Sequence, residues 1–145
     1  SWSDITTPPA NDNLANATTI SVVTGGTISG TTVDATDQVP LETDYTSNDG
    51  SVWYKFQADA TGNITLDTEL SSTVDTAIMV FAGTASSVIG DFDFATPDFY
   101  AFDDDSGVNS TATITFAVTS GTWYYVQISD YEGGTTFTLR WSDIT

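Results

Sequence analysis

Apolar and polar residues alternate with period two along much of this chain, the mark of half-buried β-strands. Val52, Tyr54 and Phe56 fall on one face, with Trp53, Lys55 and Gln57 on the other. Ile64 and Leu66 alternate with Thr65 and Asp67, and Ile114, Phe116 and Val118 with Thr113, Thr115 and Ala117. Further strands are predicted over residues 27–33, over 123–128, and through Phe137, Leu139 and Trp141. Residues 75–81 are apolar on both faces, which predicts a central strand. Turn signals separate these runs at Asn48-Asp-Gly50, Thr61-Gly-Asn63, Ser106-Gly107, Ser120-Gly121 and Gly133-Gly134. The one helical candidate is Asp12-Asn-Leu-Ala-Asn-Ala17, a short turn capped by Asp12. About eight short strands with this spacing predict an all-β fold, a jelly-roll-like antiparallel β-sandwich.

Charge narrows the function classes. Twenty acids stand against two bases, Lys55 and Arg140, for a net charge of -18 in 145 residues. Such a surface repels phosphate backbones and anionic lipid, which argues against nucleic acid and membranes as partners. It also repels itself unless cations intervene. Seventeen of the acids are Asp and three are Glu, a bias toward acidic loops over helix surfaces. The chain has no Cys and no His, so disulfides, thiolate metal sites and His-activated nucleophiles are ruled out. The longest uninterrupted apolar run, Ala77-Ile-Met-Val-Phe-Ala82, is six residues, far short of a membrane span. No signal peptide is visible, so a secreted parent would carry it outside this sequence.

Trp2-Ser-Asp-Ile-Thr6 recurs word for word as Trp141-Ser-Asp-Ile-Thr145, 139 residues later. The identity predicts a tandem array of that period. Residues 1–10 then form a seam and a linker stiffened by Pro8 and Pro9, and 11–145 form one β-sandwich module. Neighbouring copies of the module are its first expected partners.

Several pieces, taken in order, carry a resemblance. They are Asn11-Asp-Asn-Leu-Ala-Asn-Ala17, Gly30-Thr-Thr-Val-Asp-Ala-Thr36, Ser51-Val-Trp-Tyr-Lys-Phe56 and Thr61-Gly-Asn-Ile-Thr-Leu-Asp-Thr68. Val74-Asp-Thr-Ala-Ile-Met-Val-Phe-Ala-Gly83, Asp103-Asp-Asp105, Gly121-Thr-Trp-Tyr-Tyr-Val126 and Gly134-Thr-Thr-Phe-Thr-Leu139 complete the series. The chain resembles the bacterial pre-peptidase C-terminal domain family in its long-loop variant, with distant similarity to collagenase collagen-binding modules. The resemblance implies a non-catalytic jelly-roll-like sandwich, appended to secreted proteases and other exported proteins, often in several copies. Some relatives bind calcium at an N-terminal acidic segment, and matching the pieces puts Asp12, Asp34 and Glu42 in that region. The chain departs from the pattern in the acidic stretch 37–48 and the Asp/Phe-rich insertion 84–98.

Hard cations need several oxygens close together, and two constellations offer them. The first joins Asn11, Asp12 and Asn13 with Asp34, Asp37, Glu42 and Asp44. The second follows if residues 75–81 and 99–105 pair antiparallel. A register with Phe81 facing Phe99 places Asp75 opposite Asp105, beside Asp103 and Asp104. One or two Ca²⁺ ions are the expected cofactors. Trp53, Tyr131, Phe92 and Phe94 are candidate contacts for a polysaccharide or an extracellular protein.

The reading is a non-catalytic, calcium-binding extracellular repeat module of a large secreted or surface adhesin-like protein, acting as spacer or ligand-binding unit. The source environment it suggests is bacterial and saline. The alternative is a carbohydrate- or matrix-protein-binding accessory domain of a secreted hydrolase.

Overall fold

The computed structural model describes residues 7–38, 42, 50–71, 74–92, 100–104, 106–131 and 133–145. Among these residues nine strands form two sheets: β1 (Thr18–Thr19), β2 (Gly26–Thr31), β3 (Ser51–Gln57), β4 (Gly62–Asp67), β5 (Thr76–Gly83), β6 (Ala101–Asp103), β7 (Thr113–Val118), β8 (Trp123–Asp130) and β9 (Thr136–Trp141). The five-stranded sheet runs β1-β3-β8-β5-β6 and the four-stranded sheet β2-β9-β4-β7. All pairings are antiparallel except that of β1 with β3. The fold is the predicted β-sandwich, and β5 lies inside its sheet as its two apolar faces require.

The inward faces interdigitate into the main core. Val52, Tyr54, Phe56, Ile78, Val80, Val126 and Ile128 come from the larger sheet, and Ile64, Leu66, Phe116, Phe137, Leu139 and Trp141 from the smaller. The larger sheet is also covered on its other side. Leu14, Trp53, Met79, Phe81 and Tyr125 form a second cluster there, with Ile89, Phe92, Phe102 and Trp123 packed against it. An antiparallel sheet usually leaves one face to water. Here loops supply the cover: a 3₁₀ turn at Leu14–Asn16 brings Leu14, and the segment after Ile89–Asp91 brings Phe92.

Two local expectations are corrected. The helical candidate is only that 3₁₀ turn, its N-cap is Asn13, and no side chain caps it. Asp12 is drawn instead to Thr36, whose backbone N–H and hydroxyl both donate to its carboxylate at 2.6 Å. The β5–β6 pair is antiparallel as expected, but Ile78 faces Asp103 and Met79 faces Phe102, one residue away from the expected register. That slip puts Phe102 on the outer cluster and turns Asp103 toward the other sheet. Asp103 Oδ2 there accepts the N–H of Thr113, the first residue of β7, at 2.9 Å.

Acids stay out of the strands. Among the described residues, only Asp67, Asp103 and Asp130 lie in one, each as its last residue. Both bases are committed inside the molecule. Lys55 Nζ sits 5.4 Å from the Trp123 ring centroid and 5.9 Å from that of Tyr125. Arg140 Nε donates to both oxygens of Asp67, at 2.8 and 3.1 Å, and Nη2 to Glu69 at 3.3 Å. Asp67 is only 5% exposed, whereas the Arg140 side chain is 40% exposed. Arg140→Ala therefore leaves a buried carboxylate without its counter-charge, although water reaches the pair. A loss of about 1–2 kcal/mol is expected in chemical denaturation, with Arg140→Lys recovering only part because the fork is lost.

Candidate functional site

Among the described residues, Glu42, 1% exposed, is the centre of a buried polar network. Its Oε1 accepts from the Ser51 hydroxyl, from Trp53 Nε1 at 3.0 Å and from Gln127 Nε2 at 3.3 Å. Its Oε2 accepts the Gln38 N–H at 2.9 Å, and its own N–H donates to the Gln38 carbonyl at 3.0 Å. Ser51 and Trp53 come from β3, and Gln127 lies directly across from Trp53 on β8. Burial pushes the Glu42 carboxyl above its ordinary value, and the four donors pull back without cancelling the rise.

Around this hub the N-terminal segment is tied to the sheet. Asn11 Nδ2 donates to the Trp53 carbonyl at 2.9 Å, and the Trp53 N–H to the Asn11 carbonyl at 2.9 Å. The Leu14 N–H donates to Gln38 Oε1 at 2.8 Å. The segments holding Asn11, Asp12, Asp37 and Glu42 thus do converge, joined through Thr36 and Gln38. Asn13 and Asp34 are exposed, with Asp34 in a left-handed turn at φ 63°, and Asp37 is half-buried. Asp44 lies outside the described residues.

At the second place, Tyr131 links two of the predicted acids. Its N–H donates to the Asp75 carbonyl at 2.9 Å and its hydroxyl to Asp104 Oδ2 at 3.0 Å. Asp103 is engaged separately, with Ser106 N–H at 3.1 Å and Thr113 N–H at 2.9 Å. Asp105 and Phe94 fall outside the described residues. Trp53 is fully buried and presents no surface to a ligand. Phe92 folds back onto the sheet, stacking 4.8 Å from Phe81 and lying 6.3 Å from Trp53 by ring centroids. Tyr131, 39% exposed, does meet solvent.

The residues can be tested against a calcium ion. Among the described residues, no three acids come together in a geometry that could hold a metal. Glu42 does not fit as a ligand, because four N–H and O–H donors already point at its oxygens. Asp12 shares its oxygens with Thr36 and keeps lone pairs free in principle, as a carboxylate has about four acceptor sites. Asp34 is exposed, where water can complete a shell, whereas Asp104 is half-buried.

Two buried acids were not singled out by the sequence. Asp130 accepts the Thr32 hydroxyl at 2.6 Å and the Gly134 N–H at 3.0 Å, closing the β8–β9 loop onto the residue that follows β2. Asp67 holds Arg140. Polar residues inside apolar strands, such as Ser51 and Gln127, were the available signal that a buried polar partner had to exist.

The described chain is thus a two-sheet β-sandwich whose buried carboxylates fasten segments distant in sequence to one another. No family model matches it, and no curated protein matches it. Among solved structures it is similar to the pre-peptidase C-terminal domain of a collagenase from Bacillus anthracis. That match has 16% identity and TM-score 0.51, and covers 87% of this chain and 92% of the other. It is also similar to PliG of Aeromonas hydrophila, a periplasmic inhibitor of g-type lysozyme, with 17% identity, TM-score 0.51, and coverage of 87% and 96%. The likeness in fold to the pre-peptidase C-terminal domain agrees with the resemblance carried by the sequence.

Proposed function

We propose that this chain is a non-catalytic extracellular module, one copy in a series, that spaces or presents its neighbours and takes up calcium on its acidic loops. The observation that carries the reading is the use made of the buried carboxylates. Asp12, Glu42, Asp67 and Asp130 each bind a donor from another segment, so each fastens the fold. Acid–base catalysis would need such a group poised toward a substrate instead. The fold likeness to a domain at the C-terminal end of a collagenase supports an accessory role. Among the described residues no helix is long and apolar enough to cross a membrane.

For calcium, the candidates are Asp12, Asn13, Asp34 and Asp37 at one place and Asp75 and Asp104 at the other. Glu42 is not among them. With no cage in place, weak binding is expected, with a dissociation constant on the order of 10⁻⁴–10⁻³ M. At about 10 mM calcium, linkage then gives roughly 1.4–2.7 kcal/mol of added stability. Thermal melting in calcium, in magnesium and in chelator at one ionic strength checks this. A higher Tm in calcium alone supports specific uptake, and equal Tm values in all three discard it. Tyr131 is the aromatic candidate that supports a ligand-binding role. Saturable binding on a glycan or matrix-protein array, lost in Tyr131→Ala, tests it.

A further inference from the structure

The pentapeptide that occurs twice has a defined place at its second occurrence. Trp141 ends β9 with its indole buried, and Nε1 donates to the carbonyls of Ser21 at 3.0 Å and Thr24 at 3.1 Å. Ser142 N–H donates to the Thr65 carbonyl at 3.0 Å, and its hydroxyl accepts the Thr65 N–H at 2.9 Å. Asp143 Oδ1 accepts the Gly25 N–H at 2.6 Å. Ile144 packs against the main core. Thr145 exchanges both backbone hydrogen bonds with Asn63, at 2.8 and 3.0 Å. All five residues are therefore held, and four of them are read by their side chains: two by apolar contacts and two by side-chain oxygens, with a backbone ladder holding the fifth.

The slot that receives them is cut to shape. A Cβ on Gly26 would lie 2.7 Å from the Trp141 ring, and one on Gly62 would lie 2.6 Å from the Thr145 carbonyl oxygen. Those two positions admit the segment because they carry no side chain. Trp2-Ser-Asp-Ile-Thr6 holds the same five residues in the same order. It has the indole, the hydroxyl, the carboxylate and the branched apolar side chain that the slot reads.

We infer that the groove bounded by residues 21–26 and by β4 is a recognition site for Trp-Ser-Asp-Ile-Thr, and that a second copy of this sandwich is the partner for residues 2–6. The ligand is a five-residue extended segment, and it binds by completing β9 and the core beneath it. In a tandem chain this assigns residues 2–6 to the closing strand of the neighbouring unit, so that one unit's last strand runs directly into the next unit's Thr7-Pro-Pro9. The inference deepens the repeat reading above, but the groove can be tested without any array.

The test uses the full chain with Trp141→Ala, which withdraws the indole from the groove. This variant is expected to self-associate through Trp2 of another copy in analytical ultracentrifugation. The double variant Trp2→Ala/Trp141→Ala is expected to stay monomeric. A synthetic peptide Ser-Trp-Ser-Asp-Ile-Thr-Thr should bind the double variant saturably and raise its Tm. A peptide with the same residues in scrambled order should do neither. If Trp141→Ala does not fold alone, refolding with the peptide should recover a soluble sandwich where the scrambled peptide does not. A monomeric single variant with no peptide binding, or no recovery on refolding, overturns the inference. Peptide binding alongside a flexible, widely spaced two-unit chain in solution scattering would sink the spacer reading and leave the groove standing.

Discussion

Glu42→Ala is expected to destabilise the domain by about 3–5 kcal/mol at neutral pH, a shift near 10 °C in Tm for a chain of this length. The change leaves the Ser51 hydroxyl, Trp53 Nε1, Gln127 Nε2 and the Gln38 N–H facing a dry cavity. An unsatisfied buried donor costs about 1–3 kcal/mol, and relaxation plus relief from burying a charge hold the total below the simple sum. Glu42→Gln is the milder test, expected at about 1–2 kcal/mol, since one carbonyl oxygen still serves the Oε1 donors while the amide meets the Gln38 N–H. Urea denaturation of the three proteins measures both losses. The pH dependence adds a signature. The folded-state value for Glu42 is raised by burial, so the folded chain holds that proton more tightly than the unfolded chain does. Its contribution is fully present below about 4.5, the unfolded value, and is lost as pH rises through the higher folded value. Glu42→Gln should remove that decline, and an unaltered slope in the variant would refute the assignment.

Trp53→Ala is expected to cost about 3–5 kcal/mol, the range for emptying a large aromatic site in a core. The indole is wholly buried beneath Leu14 and Phe92, on the side of the larger sheet that sequence alternation assigns to solvent. A surface ligand platform would give a near-neutral change instead. Trp53→Phe keeps most of the packing and removes the hydrogen bond to Glu42, for about 1–2 kcal/mol. Because Trp53 and Glu42 share that bond, the double variant Glu42→Ala/Trp53→Ala should fall short of the two single losses combined. Strict additivity in the cycle would mean the pair is not coupled.

Strand positions were legible because period-two alternation is a local signal, and β3, β4, β7 and β9 all announced it. The three-residue β6 and two-residue β1 carry too little pattern to be placed alone. Register was not legible, and it decides much of the chemistry. Trp53 meets Gln127 only because β3 and β8 pair as they do, and Glu42 then enters from a distant loop. Composition sets Glu42 among the loop carboxylates, and the polar residues within β3 and β8 call for a buried partner, but nothing local in the sequence makes Glu42 that partner. In the same way, a one-residue shift turned Asp103 from a supposed cation ligand at a sheet end into a bridge to β7. The outer cluster leaves no local pattern, because its cover comes from two loops whose contacts are long-range.

The two sheets differ at their borders. The larger one ends in β1 and β6, both very short, whereas the smaller one ends in β2 and β7, each six residues long and without a charged side chain. Long uncharged borders invite pairing between molecules, and proteins commonly guard them with charge. In this chain the guard is the net charge of -18, carried by twenty acids, which sets one sandwich against another. Ions that relieve crowding of those acids within one sandwich therefore also lower the barrier between two sandwiches. Solubility and thermal resistance pull in opposite directions as salt is added, which places the best working medium at an intermediate ionic strength.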